Sequence, residues 1–365
     1  MAKTYFFTGF PGFITSNLIK EISTSNLEIN KIYLLVLPSM KAKAQQQINE
    51  LIQFQPNLFN KLKIIYGDIT KKHLNIKEEQ LAILKKEVTH VFNLAAIYDL
   101  AVPRDIAYKV NVEGTNNVNS LAQQLVALEK YVYFSTAYVS GNREGIIYEH
   151  ELDAGQSFKN HYEETKFKAE KLVADLKPDL PITIIRPGIV VGHSHTGETT
   201  KFDGPYFLLN YLDRLQKLPF IPYLGTGNAE ANFVPIDYIL ESTIYLAHTT
   251  ISNGKTYHLI DPNPYTIKEV YQLLMNTYIN KEPRGTLPLL IGKSALSFPT
   301  MRKWLKVEKQ ALAYFNCESF YDCTEAKNDL AEASIHCPDF KDYVPVMVSY
   351  YKQHKHDLTK QVPIK

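Results

Sequence analysis

At 365 residues, 45% hydrophobic and 21% charged, the chain is long enough for about two domains and for a core that needs no disulfide or metal staple. Forty Lys and Arg against 38 Asp and Glu leave a net charge of +2, with pI near 8.1 and mean hydropathy −0.21. These values exclude a disordered chain and a membrane-spanning protein, and they supply no basic excess for nucleic acid. No apolar run approaches ~18 residues and no signal-peptide core follows Met1, so the expected location is cytoplasmic, without a transmembrane segment. The cysteines, Cys317, Cys323 and Cys337, match neither a disulfide framework nor a zinc pattern and read as reduced, partly buried thiols.

Taken in order, short apolar runs at Thr4–Thr8, Lys31–Leu37, Lys63–Tyr66, His90–Leu94, Tyr131–Ser135 and Ile182–Arg186 predict strands buried on both faces. Amphipathic stretches separate them; Val118, Leu121, Leu125 and Leu128 share one helical face. A seventh run, Thr256–Ile260, comes later. Strand–helix alternation implies an α/β fold, a Rossmann-type doubly wound parallel sheet. From 192 to 232 Gly, Pro and aromatics crowd without clean period, 265–279 reads as a helix, and the last sixty residues read as short helices and loops with a polar tail. The expected division is a nucleotide-binding layer over 1–192 plus 233–262, and a smaller interleaved C-terminal substrate-binding region over 193–232 and 263–365.

The first strand runs into Thr8-Gly9-Phe10-Pro11-Gly12-Phe13-Ile14-Thr15 and then a helix. Gly9 permits a tight turn and Gly12 a close approach of backbone to a pyrophosphate at the helix N-terminus, so 8–14 form the predicted cofactor loop. Thr15 stands where a third glycine is expected, which implies looser helix–strand packing. The second strand is followed by no carboxylate until Glu50. Ser39, Lys41 and Lys43 are placed to meet a 2′-phosphate, which favours NADP over NAD, or else the lysines solvate a helix face. After the third strand, Asp68 and Ile69 are candidates for the adenine, with a helix N-cap as the other role for Asp68.

Tyr162-Glu163-Glu164-Thr165-Lys166 sets a phenol and an ammonium one helical turn apart. An adjacent ammonium favours phenolate, so Tyr162 is expected to have a lowered pKa and to act as acid–base group. The strand ending Tyr133-Phe134-Ser135-Thr136-Ala137-Tyr138 brings hydroxyls to the sheet edge where such folds bind ligands.

These motifs, with Asn93-Leu94-Ala95-Ala96, Asn111-Val112-Glu113-Gly114-Thr115, Arg186-Pro187-Gly188, Val234-Pro235-Ile236-Asp237 and Tyr257-His258-Leu259-Ile260-Asp261-Pro262, resemble the extended short-chain dehydrogenase/reductases. Ala95-Ala96-Ile97-Tyr98-Asp99-Leu100, Gly192-His193-Ser194-His195-Thr196-Gly197-Glu198 and Phe202-Asp203-Gly204-Pro205-Tyr206 are similar to the reductase domains of bacterial fatty acyl-CoA reductases and thioester reductases. The resemblance implies Thr136, Tyr162 and Lys166 as the catalytic trio and Asn111 as support for the active-site helix. It implies cofactor contacts at Leu94, Ala95, Ala96, Pro187, Gly188, Ile189 and Val190. The substrate positions expected are Tyr98, Ala137, Tyr138 and Tyr206, with core packing as the other role for many of the aromatic rings in these segments. The implied reaction is reduction of an aldehyde or acyl thioester, carried free, on coenzyme A or on a carrier protein; homodimers are common in the family. Three positions depart from its pattern: Thr15 for Gly, Leu37 for an Arg that meets the 2′-phosphate, and Asn93 for His.

Rival readings are a nucleotide-sugar epimerase or dehydratase that retains NAD(P), which needs a polar pocket, and a non-catalytic cofactor-binding sensor. Gly292-Lys293-Ser294 is not a P-loop, because the required earlier glycine falls at Leu287. His193 and His195 lack carboxylate or cysteine partners, so no metal is expected, and no GxSxG elbow is present. The amphipathic stretch Thr286–Val307 reads as a packed helix pair, a lid, or a shallow membrane contact.

Overall fold

The computed structural model describes residues 2–316 and 318–364; Cys317 lies outside them, and Cys323 and Cys337 are free, half-buried thiols. All seven predicted strands form, and they lie in one sheet. They are β1 (Lys3–Thr8), β2 (Ile29–Val36), β3 (Leu62–Tyr66), β4 (His90–Asn93), β5 (Lys130–Phe134), β6 (Ile182–Pro187) and β7 (Thr256–Leu259). The order across the sheet is β3-β2-β1-β4-β5-β6-β7, and every pairing is parallel. The chain reverses direction of growth between β1 and β4, which opens a crevice at the carboxyl ends of those strands.

Alternation along the strands sorts side chains to two faces. Tyr5, Phe7, Leu34, Val36, Phe92, Val132, Phe134 and Leu259 meet α1 (Phe13–Thr24), α2 (Lys41–Phe54) and, from later in the chain, the helix Ile236–Ala247. Phe6, Leu35, Val91, Tyr131, Tyr133 and Ile184 meet α3 (Glu78–Glu87), α4 (Gly114–Ala122) and α5 (His161–Ala174). Both faces are covered, which is why the strand sequences read as unbroken apolar runs rather than alternating ones.

The remaining chain builds a third core. The helices of this part of the chain are α6 (Tyr206–Leu215), α7 (Ile236–Ala247, already placed on the sheet), α8 (Ile267–Ile279), α9 (Leu289–Ala295), α10 (Pro299–Leu305), α11 (Thr324–Ala331) and α12 (Phe340–His354). Leu209, Leu212, Val270, Leu274, Val344 and Met347, from α6, α8 and α12, fill that core. Helix α8 begins where expected because Thr266 and Glu269 form a reciprocal capping box. Helix α12 is the element least visible in the sequence. Phe340, Tyr343, Val344, Met347, Val348 and Tyr351 recur at helical spacing, but Pro345 interrupts the pattern near its start. Helix α11 does not join this core; Ala326 and Leu330 pack with the α7 side of the sheet.

Candidate active site

The glycine loop leaves β1 and caps α1. Gly9 has φ +84°, and a Cβ there would sit 3.0 Å from the Ala95 nitrogen and the Leu94 carbonyl carbon. A Cβ on Gly12 would lie 2.6 Å from the Gly9 carbonyl oxygen. Only glycine fits either place. Gly12 is the N-cap of α1, with no side-chain cap and no acidic residue in the first turn. The first N–H groups of α1 therefore face an open cradle, the arrangement that accepts a diphosphate. The donor set fits a dinucleotide. Phe10 and Pro11 are buried and Phe13 and Ile14 half-buried, so what this loop offers a ligand is mainly backbone.

Thr8 is a scaffold residue. Its hydroxyl donates to Asn93 Oδ1 (2.7 Å) and accepts from the N–H groups of Leu94 (3.1 Å) and Ala95 (3.0 Å), tying the ends of β1 and β4 together. Asn93 Nδ2 in turn donates to Tyr131 Oη (3.2 Å), which donates to Asn119 Oδ1 (2.7 Å) on α4. The Asn93 departure thus has a structural use: its amide both accepts from Thr8 and donates to Tyr131. Thr15 is buried. Beyond β2, Leu37 is exposed, and Ser39, Lys41 and Lys43 are exposed at the start of α2, with no acidic side chain in its first turn. Asp68 accepts from the Thr70 N–H (2.8 Å) in a local turn, and Ile69 offers its carbonyl to Asn117 Nδ2 (2.7 Å). The Asp68 carboxylate caps no helix; Lys71 holds the N-cap of the short helix that follows.

Asn111 lies in a π-helical turn, Tyr108–Glu113, that runs into α4. The bulge turns its side chain onto three partners. Oδ1 accepts from the Ile97 N–H (2.8 Å), and Nδ2 donates to the Ile97 carbonyl (3.1 Å) and to Thr165 Oγ1 (3.0 Å). One amide therefore fixes the loop after β4 against helix α5.

Helix α5 starts at His161 because Asn160 caps it, accepting from the Glu163 N–H (2.9 Å). Glu163, fully buried, accepts from the Lys159 N–H (3.0 Å) and from Tyr314 Oη (2.8 Å). Tyr314 stacks edge-on with Tyr138 at 5.0 Å, so the 309–316 segment is anchored beside the start of α5. On the outer side, Arg104 and Lys168 hold the Glu164 carboxyl down at about 2.

Thr136 follows β5 and Tyr162 sits in the first turn of α5, near enough for the Thr136 hydroxyl to act on the phenol. Burial pushes the Tyr162 phenol up to about 12, against the lowering effect of Thr136. This corrects the expectation of a lowered phenol pKa. The reason is local: the Lys166 ammonium points at the sheet, where Nζ donates to Tyr133 Oη (2.9 Å) and the Phe134 carbonyl (2.5 Å). It also lies over the Tyr133 ring, 4.4 Å from its centroid. Lys166 is itself buried, and desolvation pulls it down to about 7. Tyr133 was not foreseen; a strand Tyr facing a helix must find a partner for its hydroxyl, and that was the available signal.

Pro187 and Gly188, at the end of β6, are buried, and Ile189 and Val190 are half-buried beside Phe233–Pro235. Of the substrate positions, Tyr98 is exposed and accepts from Lys201 Nζ (2.8 Å). Ala137 is buried and Tyr138 half-buried against Tyr314 and Tyr321. Tyr206 is placed otherwise than a pocket wall: it is 1% exposed in the third core, and its hydroxyl accepts from the Gly192 N–H (3.3 Å). Its hydrophobic ring is worth more buried between Phe202 and Tyr351 than at a polar rim.

The family model described as "Male sterility protein", an NAD-binding family, matches residues 7–243. The fatty acyl-CoA reductase wat of Drosophila melanogaster is 25% identical over 276 residues, covering 66% of this chain and 53% of that protein. The terminal reductase domain of the myxalamid PKS-NRPS biosynthetic pathway superposes with TM-score 0.82 at 23% identity, over 98% of this chain and 92% of that one. The UDP-glucuronic acid 4-epimerase of Bacillus cereus, with NAD, superposes with TM-score 0.67 at 18% identity over 96% of this chain and 99% of that one. The chain spans 59%, 23% and 25% of the length of three curated relatives. Among the described residues no helix is long and apolar enough to cross a membrane. The chain belongs to the NAD-binding Male sterility protein family, within the extended short-chain dehydrogenase/reductases.

Proposed function

We propose that the protein is an NADPH-dependent reductase of an acyl thioester or aldehyde carbonyl, on a fatty or polyketide-like chain. The observation that carries this reading is that Thr136, with Tyr162 beside it, follows β5 at the same carboxyl edge of the parallel sheet where the glycine cradle follows β1. A nicotinamide cofactor held at the Gly9–Gly12 cradle would supply hydride to the carbonyl carbon. Thr136 and Tyr162 hydrogen-bond the carbonyl oxygen as it gains charge, and Tyr162 gives it a proton. An aldehyde becomes an alcohol; a thioester becomes a hemithioacetal, which collapses to aldehyde and thiol. The exposed Ser39, Lys41 and Lys43, with no carboxylate after β2, support NADPH over NADH.

The test is reduced-cofactor oxidation with aldehydes, acyl thioesters and nucleotide sugars, run with NADPH and NADH. Consumption with the first two classes, faster with NADPH, is expected. Turnover of a nucleotide sugar without net consumption overturns the reading. The cradle has its own test. Gly9→Ala places a side chain in a left-handed conformation, a cost of roughly 1–2 kcal/mol, and pushes against Leu94 and Ala95. Cofactor Kd, measured by calorimetric titration, is expected to rise about tenfold or more, equivalent to about 1.4 kcal/mol.

A further inference from the structure

Helices α9 and α10 each bury one edge in the third core, through Leu289 and Leu296 and through Leu305. Their other sides carry Leu290 (77% exposed), Ile291, Phe298 (65%), Met301 and Trp304 (48%). Phe298, Met301 and Trp304 recur every third residue along α10 and its N-cap. Arg302 Nη1 ties the two helices, donating to the carbonyls of Leu296 (2.9 Å) and Ser297 (3.2 Å) at the end of α9. Large side chains exposed together on adjoining helices mark a surface that something covers.

The charge around them says what. From Pro283 to Val307 the chain has Arg284, Lys293, Arg302, Lys303 and Lys306, and no Asp or Glu, although the whole protein is nearly neutral. Arg284 and Lys303 are exposed and Lys293 is half-exposed. Protruding Leu, Ile, Phe and Trp flanked by cations match an interface whose interior is apolar and whose headgroups are anionic. We propose that α9 and α10 form a docking surface for an anionic lipid bilayer, lying shallowly in its headgroup region. Such docking brings the protein to the phase where long-chain acyl compounds partition, and it requires no catalytic activity.

Trp304 is the chain's one tryptophan, so its fluorescence reports this surface alone. Vesicles of phosphatidylcholine with phosphatidylglycerol are expected to shift Trp304 emission to the blue. Binding should be at least tenfold tighter than to phosphatidylcholine alone, and much weakened at about 1 M salt, where charges are screened within ~3 Å. Lys293→Glu with Lys303→Glu should abolish the preference for anionic vesicles, and Phe298→Ser with Leu290→Ser should weaken flotation with them. Circular dichroism melts of each variant separate lost docking from lost folding. Unchanged emission with anionic vesicles overturns the proposal. So does a shift that appears without lipid as protein concentration rises, or one that only an acidic protein produces.

Discussion

Tyr162→Phe is expected to lower turnover by about 10²–10⁴-fold while leaving cofactor affinity and the melting curve close to those of the parent. The ring is kept, so the packing at the start of α5 is kept; the hydroxyl is the one group removed. In the parent, burial pushes that hydroxyl up to about 12, so it carries its proton throughout the neutral range and is set to donate rather than accept. The alkaline limb of the pH–rate profile then cannot come from free Tyr162 near neutrality. It is Lys166, drawn down to about 7, that changes charge there. Linkage gives the sign. An unfolded Lys166 holds its proton up to its ordinary 10.5, whereas the folded one gives it up near 7, so between these values the unfolded chain binds more protons. Stability from this residue therefore rises with pH across 7–10.5 and is lost as pH falls through 7. Lys166→Met removes that slope. Parent-like turnover in Tyr162→Phe, measured by reduced-cofactor oxidation, would overturn the proton-donor role.

The parts of this arrangement that could be read from the sequence are those encoded locally. A β-run followed by Gly9 and Gly12 is a local conformational demand, and all seven strands showed as unbroken apolar runs because both faces of the sheet are covered. Tyr162 and Lys166 are one turn apart on a capped helix, so their juxtaposition follows from helix geometry. Their electrostatics did not follow, because the partner that orients Lys166 is Tyr133, 33 residues away on another element. Asn111 shows the same split. Its position was legible by resemblance, but its grip on Ile97 and Thr165 depends on a π-turn that residue order does not announce. Tyr206 was assigned to the pocket because its segment is aromatic and irregular; tertiary packing with Phe202 and Tyr351 placed it in a core instead. Glu163 and Tyr314, 151 residues apart, were invisible for the same reason.

Glu170→Ala is expected to cost about 3–5 kcal/mol of stability, because it strands a buried guanidinium. Glu170 and Arg186 are 1% and 2% exposed, joined by Arg186 Nε (2.9 Å) and Nη2 (2.6 Å) to one carboxylate oxygen, while Ser135 donates to the other. The rest of the guanidinium is engaged by the carbonyls of Glu149 (3.3 Å) and Glu151 (2.8 Å) and by His258 Nε2 (3.0 Å). His258 serves as acceptor because burial and Arg186 hold its pKa near 3, and its Nδ1 hydrogen goes to the Asp322 carbonyl (2.6 Å). Those acceptors satisfy the arginine's hydrogens but do not balance its charge. Replacing both partners with apolar groups, Glu170→Leu with Arg186→Met, is therefore expected to recover much of the loss, which a double-mutant cycle on denaturant midpoints measures. The pair also bears on the proposed reaction. Ser135 directly precedes Thr136, and Glu170 lies one turn beyond Lys166, so the carboxylate pins the end of β5 to α5 and sets where Thr136 stands relative to Tyr162. The conservative Glu170→Gln keeps a hydrogen-bond acceptor for Ser135 and removes the charge; its turnover should fall while cofactor affinity holds. A Glu170→Ala stability within about 0.5 kcal/mol of the parent, the usual spread for a surface substitution, would show that the ion pair does not stabilise the fold, and parent-like turnover in Glu170→Gln would show that its charge does not space the two hydroxyls.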